Sequence, residues 1–282
     1  MIPPGTQVGE YQVLRLVAEG ATSEVYQGRH TTRGELVAVK VLSPEWCIHP
    51  QVMMRFLNEA RTLQELQHPH LVKALHRGTL PEGRPFMVLE WRPEDLHQAL
   101  ARVGGRLPVS EGVQVVRQMA EVLSVLHSRG IVHRDLKPAN ILVVHRGPGD
   151  WRIQLADLGL AKRLLDTEEG QLPVSTADGA LLGSREYMAP EQWGSAKQVD
   201  ARADVYSLGI LWFQLLAGRL PFIADSEEGL MSRHVMKKPP LELLDPLTPA
   251  PARELLARML GKTPKERPTA EALLHGLTAL GG

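Results

Sequence analysis

Cysteine is almost absent from this sequence. Cys47 is the single one among 282 residues, which excludes an internal disulfide and any cysteine-rich zinc site and suits a reducing compartment. Its expected role is that of a buried, inert thiol. An excess of either charge is missing as well. The 32 Lys and Arg balance 32 Asp and Glu, so no overall field draws the chain to nucleic acid or to an anionic membrane, and any binding of polyanions would be local. Neither a basic-then-apolar leader nor an apolar run of about 18 residues occurs, so no signal peptide or membrane span is expected within these residues, and the chain reads as soluble. Internal repeats and low-complexity linkers are also lacking. An apolar fraction of 43% then describes a globular chain, long enough for one large domain or two fused lobes.

Glycine is scarce in one place where it matters. The stretch "VAEGATSEVY", Val17 to Tyr26, looks like a glycine-rich phosphate cradle, but against Gly-x-Gly-x-x-Gly it supplies Ala18, Gly20 and Ser23. If the backbone at Ala18 or Ser23 needs a positive φ, a non-glycine residue costs about 1 kcal/mol or more. Nucleotide binding would then be weakened by roughly tenfold. The Ser23 hydroxyl can return part of this by donating to a phosphate oxygen.

The pattern up to about Glu90 is that of strands: "YQVLRLVA", "EVYQGRH", "ELVAVKVL", "LVKALHRGTL" and "RPFMVLEW", with turns at Arg33-Gly34 and Glu82-Gly83. Val52, Phe56 and Leu63 recur at helical spacing and mark one amphipathic helix after Pro50. From about Glu94 the pattern turns helical. In "SEGVQVVRQMAEVLSVLHSRG" the residues Val113, Val116, Met119, Ala120, Leu123 and Leu126 share a face, with Ser110 as expected N-cap and Gly130 as stop. Further helices are expected at "ARADVYSLGILWFQLLAG", "PARELLARML" and "RPTAEALLHGL". A strand-rich first lobe with one helix, followed by a helical second lobe, is an α+β arrangement, and a cleft between lobes is a usual ligand site.

Two charges fall where apolar side chains belong. Alternation along "ELVAVKVL" places Lys40 on the face of Leu36, Ala38 and Leu42. Glu59 lies three residues after Phe56 and seven after Val52, on the apolar stripe of its helix. Each alone could snorkel to solvent. Together, beside a phosphate loop, they are expected to offset each other's burial. "IVHRDLKPANIL" concentrates His133, Arg134, Asp135, Lys137 and Asn140 in eight residues, stiffened by Pro138, and reads as a site rather than a solvated turn. In "LADLGL", Asp157 ends an apolar strand, and Gly159 frees the backbone for a turn. Asn140 and Asp157 are hard oxygen donors that, with phosphate oxygens and water, suit magnesium.

These residues resemble the protein kinase signature over nearly the whole chain. "VAVK" looks like the strand lysine and "NEA", with Glu59, the helix glutamate. "HRDLKPAN" looks like the catalytic loop, "DLG" the metal-binding turn and "YMAPE" the end of the activation segment, with "DVYSLG" and "RPT" closing the large lobe. The similarity is to bacterial Hanks-type serine/threonine kinases, whose catalytic aspartate is followed two residues later by a lysine. The resemblance implies a bilobal protein-kinase-like fold, with a kinase domain over residues 1–282 divided into lobes at 1–90 and 91–282.

The resemblance further implies use of ATP and Mg2+. Lys40, held by Glu59, would contact the α- and β-phosphates under a loop of Ala18, Gly20 and Ser23. Val17, Val25, Ala38 and Leu142 would sandwich the adenine, although taken alone each of these could be plain core. The backbone from Glu90 through Trp91 to Arg92 would read the adenine edge, with Leu89 as gatekeeper. Asp135 would accept or orient the substrate hydroxyl proton, and Lys137 would neutralise the transferred phosphoryl. Asn140 and Asp157 would carry the metal. Ser184 stands where a threonine usually bonds the catalytic aspartate and lysine.

Structural roles follow for other positions. His133 and Leu158 would pack with Leu63, Asp204 would bond the catalytic-loop backbone, and Glu191 would pair with Arg267. Of the hydroxyls in the activation segment, Thr167, Ser175 and Thr176 among them, Thr176 or Ser175 is expected to be autophosphorylated and clamped by Arg134 and Lys162. Pro93 in "EWRPEDL" stiffens the lobe connection, and "VVHRGPGDWRI" is expected to be a harmless surface loop. The expected partners are proteins bearing Ser or Thr, and a second copy of the chain for phosphorylation in trans. Nucleic acid and membrane contact are not expected, and the domain is placed in the cytoplasm. The rival readings are a pseudokinase scaffold that binds ATP without transfer and a small-molecule phosphotransferase.

Overall fold

A computed structural model describes residues 1–158, 185–194 and 199–280 of the chain. They fall into two compact units. The first comprises Met1–Pro93 and the second Glu94–Leu158 with the described residues from 185 onward.

The first unit is a six-stranded antiparallel sheet in the order β1-β2-β3-β4-β6-β5. Its strands are β1 (Gln7–Val8), β2 (Tyr11–Glu19), β3 (Ser23–His30), β4 (Leu36–Leu42), β5 (Ala74–Thr79) and β6 (Pro85–Glu90). Period-two alternation sends Val37, Val39 and Val41 into a core with Val8, Val13, Tyr26 and Val88, all at most 2% exposed. Gly34 and Gly83, at φ 73° and 91°, make the turns that their dipeptides predicted. Helix α1 (Pro50–Glu65) starts with Pro at its first turn, packs on β5 and β6, and buries Val52, Phe56, Glu59, Ala60 and Leu63. Cys47 is half-buried rather than buried, and its thiol hydrogen-bonds the Ser43 carbonyl at 3.6 Å. Burial pushes its pKa up, which keeps it unreactive.

The second unit contains helices α2 (Leu96–Arg102), α3 (Val109–Ser128), α4 (Arg202–Ala217), α5 (Glu227–Met236), α6 (Ala250–Met259) and α7 (Ala270–Thr278), with a hairpin of β7 (Ile141–Gly147) and β8 (Asp150–Leu155). Helix α4 is buried along nearly its whole length and serves as the core of the unit. A Cβ on its Gly209 would stand 3.0 Å from both Met259 and Leu260, so a side chain there would push the end of α6 away by a few tenths of an ångström. No helix among the described residues is long and apolar enough to cross a membrane.

Three expectations need correction. Ser110 is not the N-cap of α3. Pro108 takes that place with an extended ψ of 150°, and the helix begins one residue before Ser110. "VVHRGPGDWRI" is not a surface loop but the β7–β8 hairpin itself, bulged between Val143 and His145. Trp151, 2% exposed, anchors it on α3, with its indole donating to Glu111 at 2.7 Å and its amide to Gln114 at 2.9 Å. Helices α2 and α5 were not expected. Their N-caps Asp95 and Ser226 were present in the sequence, but α5 buries only Leu230 and His234, too little apolar periodicity to read.

His234 is fully buried among Trp193, Tyr206 and Phe222, with its Nδ1 3.0 Å from the Tyr206 hydroxyl. Burial, aided by the Lys262 ammonium, lowers its pKa to about 3. The folded chain therefore holds this ring neutral where the unfolded chain binds a proton. That contribution is complete above pH 6.5 and is lost as the pH falls from there toward about 3. The slope due to this group approaches about 1.4 kcal/mol per pH unit. Unfolding free energies from urea titrations of the parent and His234→Gln are expected to diverge as the pH falls from 7 to 5, approaching that slope below pH 6.5. Parallel curves would show that the imidazole is not responsible.

Candidate active site

In the first unit, β2 and β3 are joined by the glycine-poor turn. The Gly20 amide donates to the Ser23 carbonyl at 2.8 Å, and a Cβ on Gly20 would lie 3.2 Å from that same oxygen. Glycine thus leaves room there that a Cβ would have to gain by shifting the Ser23 carbonyl a few tenths of an ångström. Neither Ala18 nor Ser23 has a positive φ, since among the described residues only Arg134 and Asp157 do so without being glycine. The conditional strain at Ala18 and Ser23 therefore does not arise. Ala18 pairs with Val25, and Ser23 with Leu42. Val17, Ala18 and Gly20 are exposed while Ser23 is buried.

Val25 and Ala38 lie half-buried on β3 and β4 and Val17 is 42% exposed, so these three are not closed core. Lys40 faces Glu59 of α1 with Nζ 2.8 Å from Oε1, and the two side chains are 8% and 1% exposed. The charges that broke the apolar pattern of strand and helix are thereby paired. Leu89, 8% exposed, stands opposite Ala38 on β6. The Glu90 amide is committed to the Lys73 carbonyl at 3.1 Å, so it cannot read a ligand edge. The carboxylate of Glu90 bonds Arg92 at 2.9 Å across half-buried Trp91.

In the second unit, α3 ends in a Schellman motif. Gly130 has φ 71°, its amide bonds His127 O at 2.9 Å, and the Ile131 amide bonds Leu126 O at 3.0 Å. The chain then enters an irregular loop held from below by Asp204 in the first turn of α4. Its carboxylate accepts the amides of His133 at 2.9 Å and Arg134 at 2.7 Å, and His127 Nε2 at 2.8 Å. Burial alone would raise this carboxyl, but His127 and the loop donors hold it below its ordinary value. Arg134 is left-handed at φ 67°, a conformation that persists only when its surroundings enforce it. Arg134 O also accepts from Gln192 at 3.1 Å. The His133 Nδ1 accepts the Asp135 amide at 3.3 Å inside a fully buried ring, which agrees with a structural rather than catalytic histidine.

These contacts fix Asp135 beside its neighbours. Asn140, on the 3-10 turn Pro138–Asn140, donates Nδ2 to the Asp135 carbonyl at 2.7 Å and to its Oδ2 at 2.9 Å, and Lys137 Nζ lies 3.4 Å from that Oδ2. With Nδ2 so engaged, the amide of Asn140 presents Oδ1 as its remaining acceptor. Asn140 O receives the Ala156 amide at 2.8 Å, which ties the loop to the residue before Asp157. Asp157 itself is left-handed at φ 58°. Among the described residues no group of three or more His, Cys, Asp and Glu could hold a metal. Magnesium requires fewer, one or two protein oxygens beside phosphate and water, and the Asn140 and Asp157 donor set fits that demand. Leu142 is half-buried on β7, and Leu158 is buried.

Glu191 and Arg267 form the expected pair, bidentate at 2.7 and 2.8 Å, with Arg267 fully buried and stacked 4.8 Å from the Tyr206 ring. Ser184, Lys162, Thr167, Ser175 and Thr176 lie outside the described residues. His127 was missed in the sequence. The available signal was a histidine four residues after Leu123, extending the apolar stripe of α3 beyond Leu126.

The sequence pattern of the protein kinase domain matches residues 11–277. Serine/threonine-protein kinase pkn3 of Myxococcus xanthus is 35% identical over 96% of this chain and 50% of its own length. Pkn1 of the same organism is 36% identical over 93% of this chain and 37% of its own, and PknA of Mycobacterium tuberculosis is 34% identical over 93% and 59%. The chain thus spans about half, or less, of the length of the first of these relatives. Among solved structures, the kinase domain of Mycobacterium tuberculosis PknI, determined as a double mutant, matches over 100% of both chains with a TM-score of 0.70 at 26% identity. With family, relatives and fold in agreement, the chain belongs to the protein kinase family, as a domain of the bacterial Hanks-type serine/threonine class.

Proposed function

We propose that this chain transfers the γ-phosphate of ATP to Ser and Thr hydroxyls of proteins, its own included. The observation that carries the reading is the catalytic loop, where a carboxylate fixed by Asn140 stands beside a lysine two residues on, at 3.4 Å. Phosphoryl transfer asks a protein mainly to position groups and to stabilise charge. Asp135 orients the acceptor hydroxyl and takes its proton, while Lys137 neutralises charge on the transferred group. Lys40, fixed by Glu59, binds the α- and β-phosphates, with Gly20, Ala18 and the Ser23 hydroxyl above them. Val17, Val25, Ala38 and Leu142 hold the adenine, Leu89 bounds its pocket, and the backbone beyond the Glu90 amide, toward Trp91 and Arg92, reads its edge. Asn140 and Asp157 hold Mg2+, which when bound offsets phosphate charge. Ser184 takes the part of the threonine that bonds the catalytic aspartate and lysine in the family. Thr176 or Ser175 is the site of autophosphorylation, reached by a second copy of the chain, and the domain acts in the cytoplasm.

The pair of Lys40 with Glu59 and the absence of strain at Ala18 and Ser23 support an enzyme over an ATP-binding scaffold. The test is intact mass of phosphatase-treated protein after incubation with Mg-ATP. Gains in phosphate steps that map to Ser175 or Thr176 are expected. ATP binding without any gain would instead favour the scaffold, and phosphate appearing only on small acceptors would favour the small-molecule enzyme.

A further inference from the structure

Glu24 and Arg84 form a second buried ion pair in the first unit, separate from Lys40 and Glu59. Both residues are 7% exposed, and Arg84 Nη2 lies 2.5 Å from Glu24 Oε2. That oxygen also accepts the Tyr26 hydroxyl at 2.8 Å, and the hydroxyl in turn accepts the Ile2 amide at 2.7 Å. Burial alone would raise the Glu24 carboxyl, but the Arg84 guanidinium, the Tyr26 hydroxyl and the Met1 ammonium, 3.1 Å from Glu24 Oε1, more than offset this and keep it ionised. Alternation along β3 puts Ser23 and Val25 on one face, and Glu24 and Tyr26 on the other. The ion pair therefore sits directly behind the residues assigned to the nucleotide.

Arg84 does more than neutralise a charge. Its Nε donates to the Leu42 carbonyl at 2.9 Å, and Leu42 is the ladder partner of Ser23. One rung further, the Ser43 amide bonds the Thr22 carbonyl at 3.0 Å. A single guanidinium fork thus grips β3 through Glu24 and β4 through Leu42, at the level where the phosphate loop leaves the sheet. The two arms of that loop differ accordingly. Val17 to Ala21 are exposed, whereas Thr22, Ser23 and Glu24 are buried. A buried ion pair adds little stability over an apolar pair of similar volume, so stability alone gives this pair no advantage at the site. Holding one arm in place lowers the ordering cost when a phosphate arrives.

We propose that Glu24 and Arg84 are positioning residues for nucleotide binding, fixing the β3 arm of the phosphate loop so that Ser23 and its backbone meet the phosphates without rearrangement. This rests on the nucleotide-binding reading given above. The experiment compares the parent with a double variant, Glu24→Leu with Arg84→Met, which keeps the volume apolar and packed. Mg-ATP affinity is measured by calorimetry, and the ATP dependence of autophosphorylation by intact mass. The dissociation constant and half-saturating ATP are expected to rise about fivefold to tenfold, with the saturating rate within about twofold and a cooperative melting transition retained. An unchanged ATP dependence in the folded double variant overturns the proposal. So does an equal fall in saturating rate, which would indicate general loosening. If the double variant does not melt cooperatively, Arg84→Lys decides the matter. It keeps the charge but loses the fork, so a smaller shift confined to ATP is expected, and no shift counts against the pair. Failure of the parent to bind Mg-ATP at millimolar concentration would refute the nucleotide reading itself, and the proposal with it.

Discussion

Asp135→Asn is expected to lower phosphate incorporation at saturating Mg-ATP by about a thousandfold, with Mg-ATP affinity within about twofold of the parent. The substituted amide keeps an oxygen that can still accept from Asn140, whose Nδ2 lies 2.9 Å from Asp135 Oδ2, so the loop should hold its shape. What it loses is the ability to take a proton from the acceptor hydroxyl. A rate at saturation with the affinity of the same preparation separates these contributions. If the variant turns over at the parental rate, Asp135 is not the proton acceptor. If affinity falls along with rate, the substitution has disturbed the Asn140 and Lys137 contacts instead.

Asp204→Ala is expected to be the most damaging single change away from the reacting groups. It strands three donors at once, the buried amide of His133 and, half-buried beside it, the amide of Arg134 and the His127 ring. An unsatisfied buried donor costs about 1–3 kcal/mol, so a loss of about 2 kcal/mol or more in urea unfolding is expected, together with a fall in turnover of about a hundredfold or more. Asp204→Asn retains one acceptor oxygen and should lie between Ala and the parent in both respects. Loss of stability with parental turnover would mean that the loop finds its geometry without this anchor.

The parts of the site that could be read in the sequence were those that violated a pattern. Lys40 and Glu59 stood out because a charge interrupted an apolar strand face and an apolar helix stripe, and burial then required them to meet. The catalytic loop stood out by its density of polar groups beside Pro138. Asp204 is different, because only resemblance gave its role, and nothing about an acidic residue near a helix start says which backbone it will hold. Positive φ at Arg134 had no local signal either, since arginine is not a type that favours it and the surrounding bonds impose it, while Asp157 is of a type that tolerates it without requiring it. Among the elements, α5 escaped because its face is mostly solvated. The β7–β8 hairpin escaped because Pro148-Gly149 reads as a loop, while the grip of α3 on Trp151 is a tertiary contact.

The two left-handed residues also set a limit on engineering. Someone seeking a hardier version of this domain by relieving unfavourable dihedrals would be led to Arg134 and Asp157 at φ 67° and 58°, where glycine fits with less strain. At Asp157 that substitution would delete a side chain assigned to the metal, and at Arg134 the guanidinium that bonds Val199 O at 3.2 Å. Robustness and turnover are thus coupled at two backbone positions, and selection for thermal endurance alone would be expected to drift toward folded, inactive variants at them.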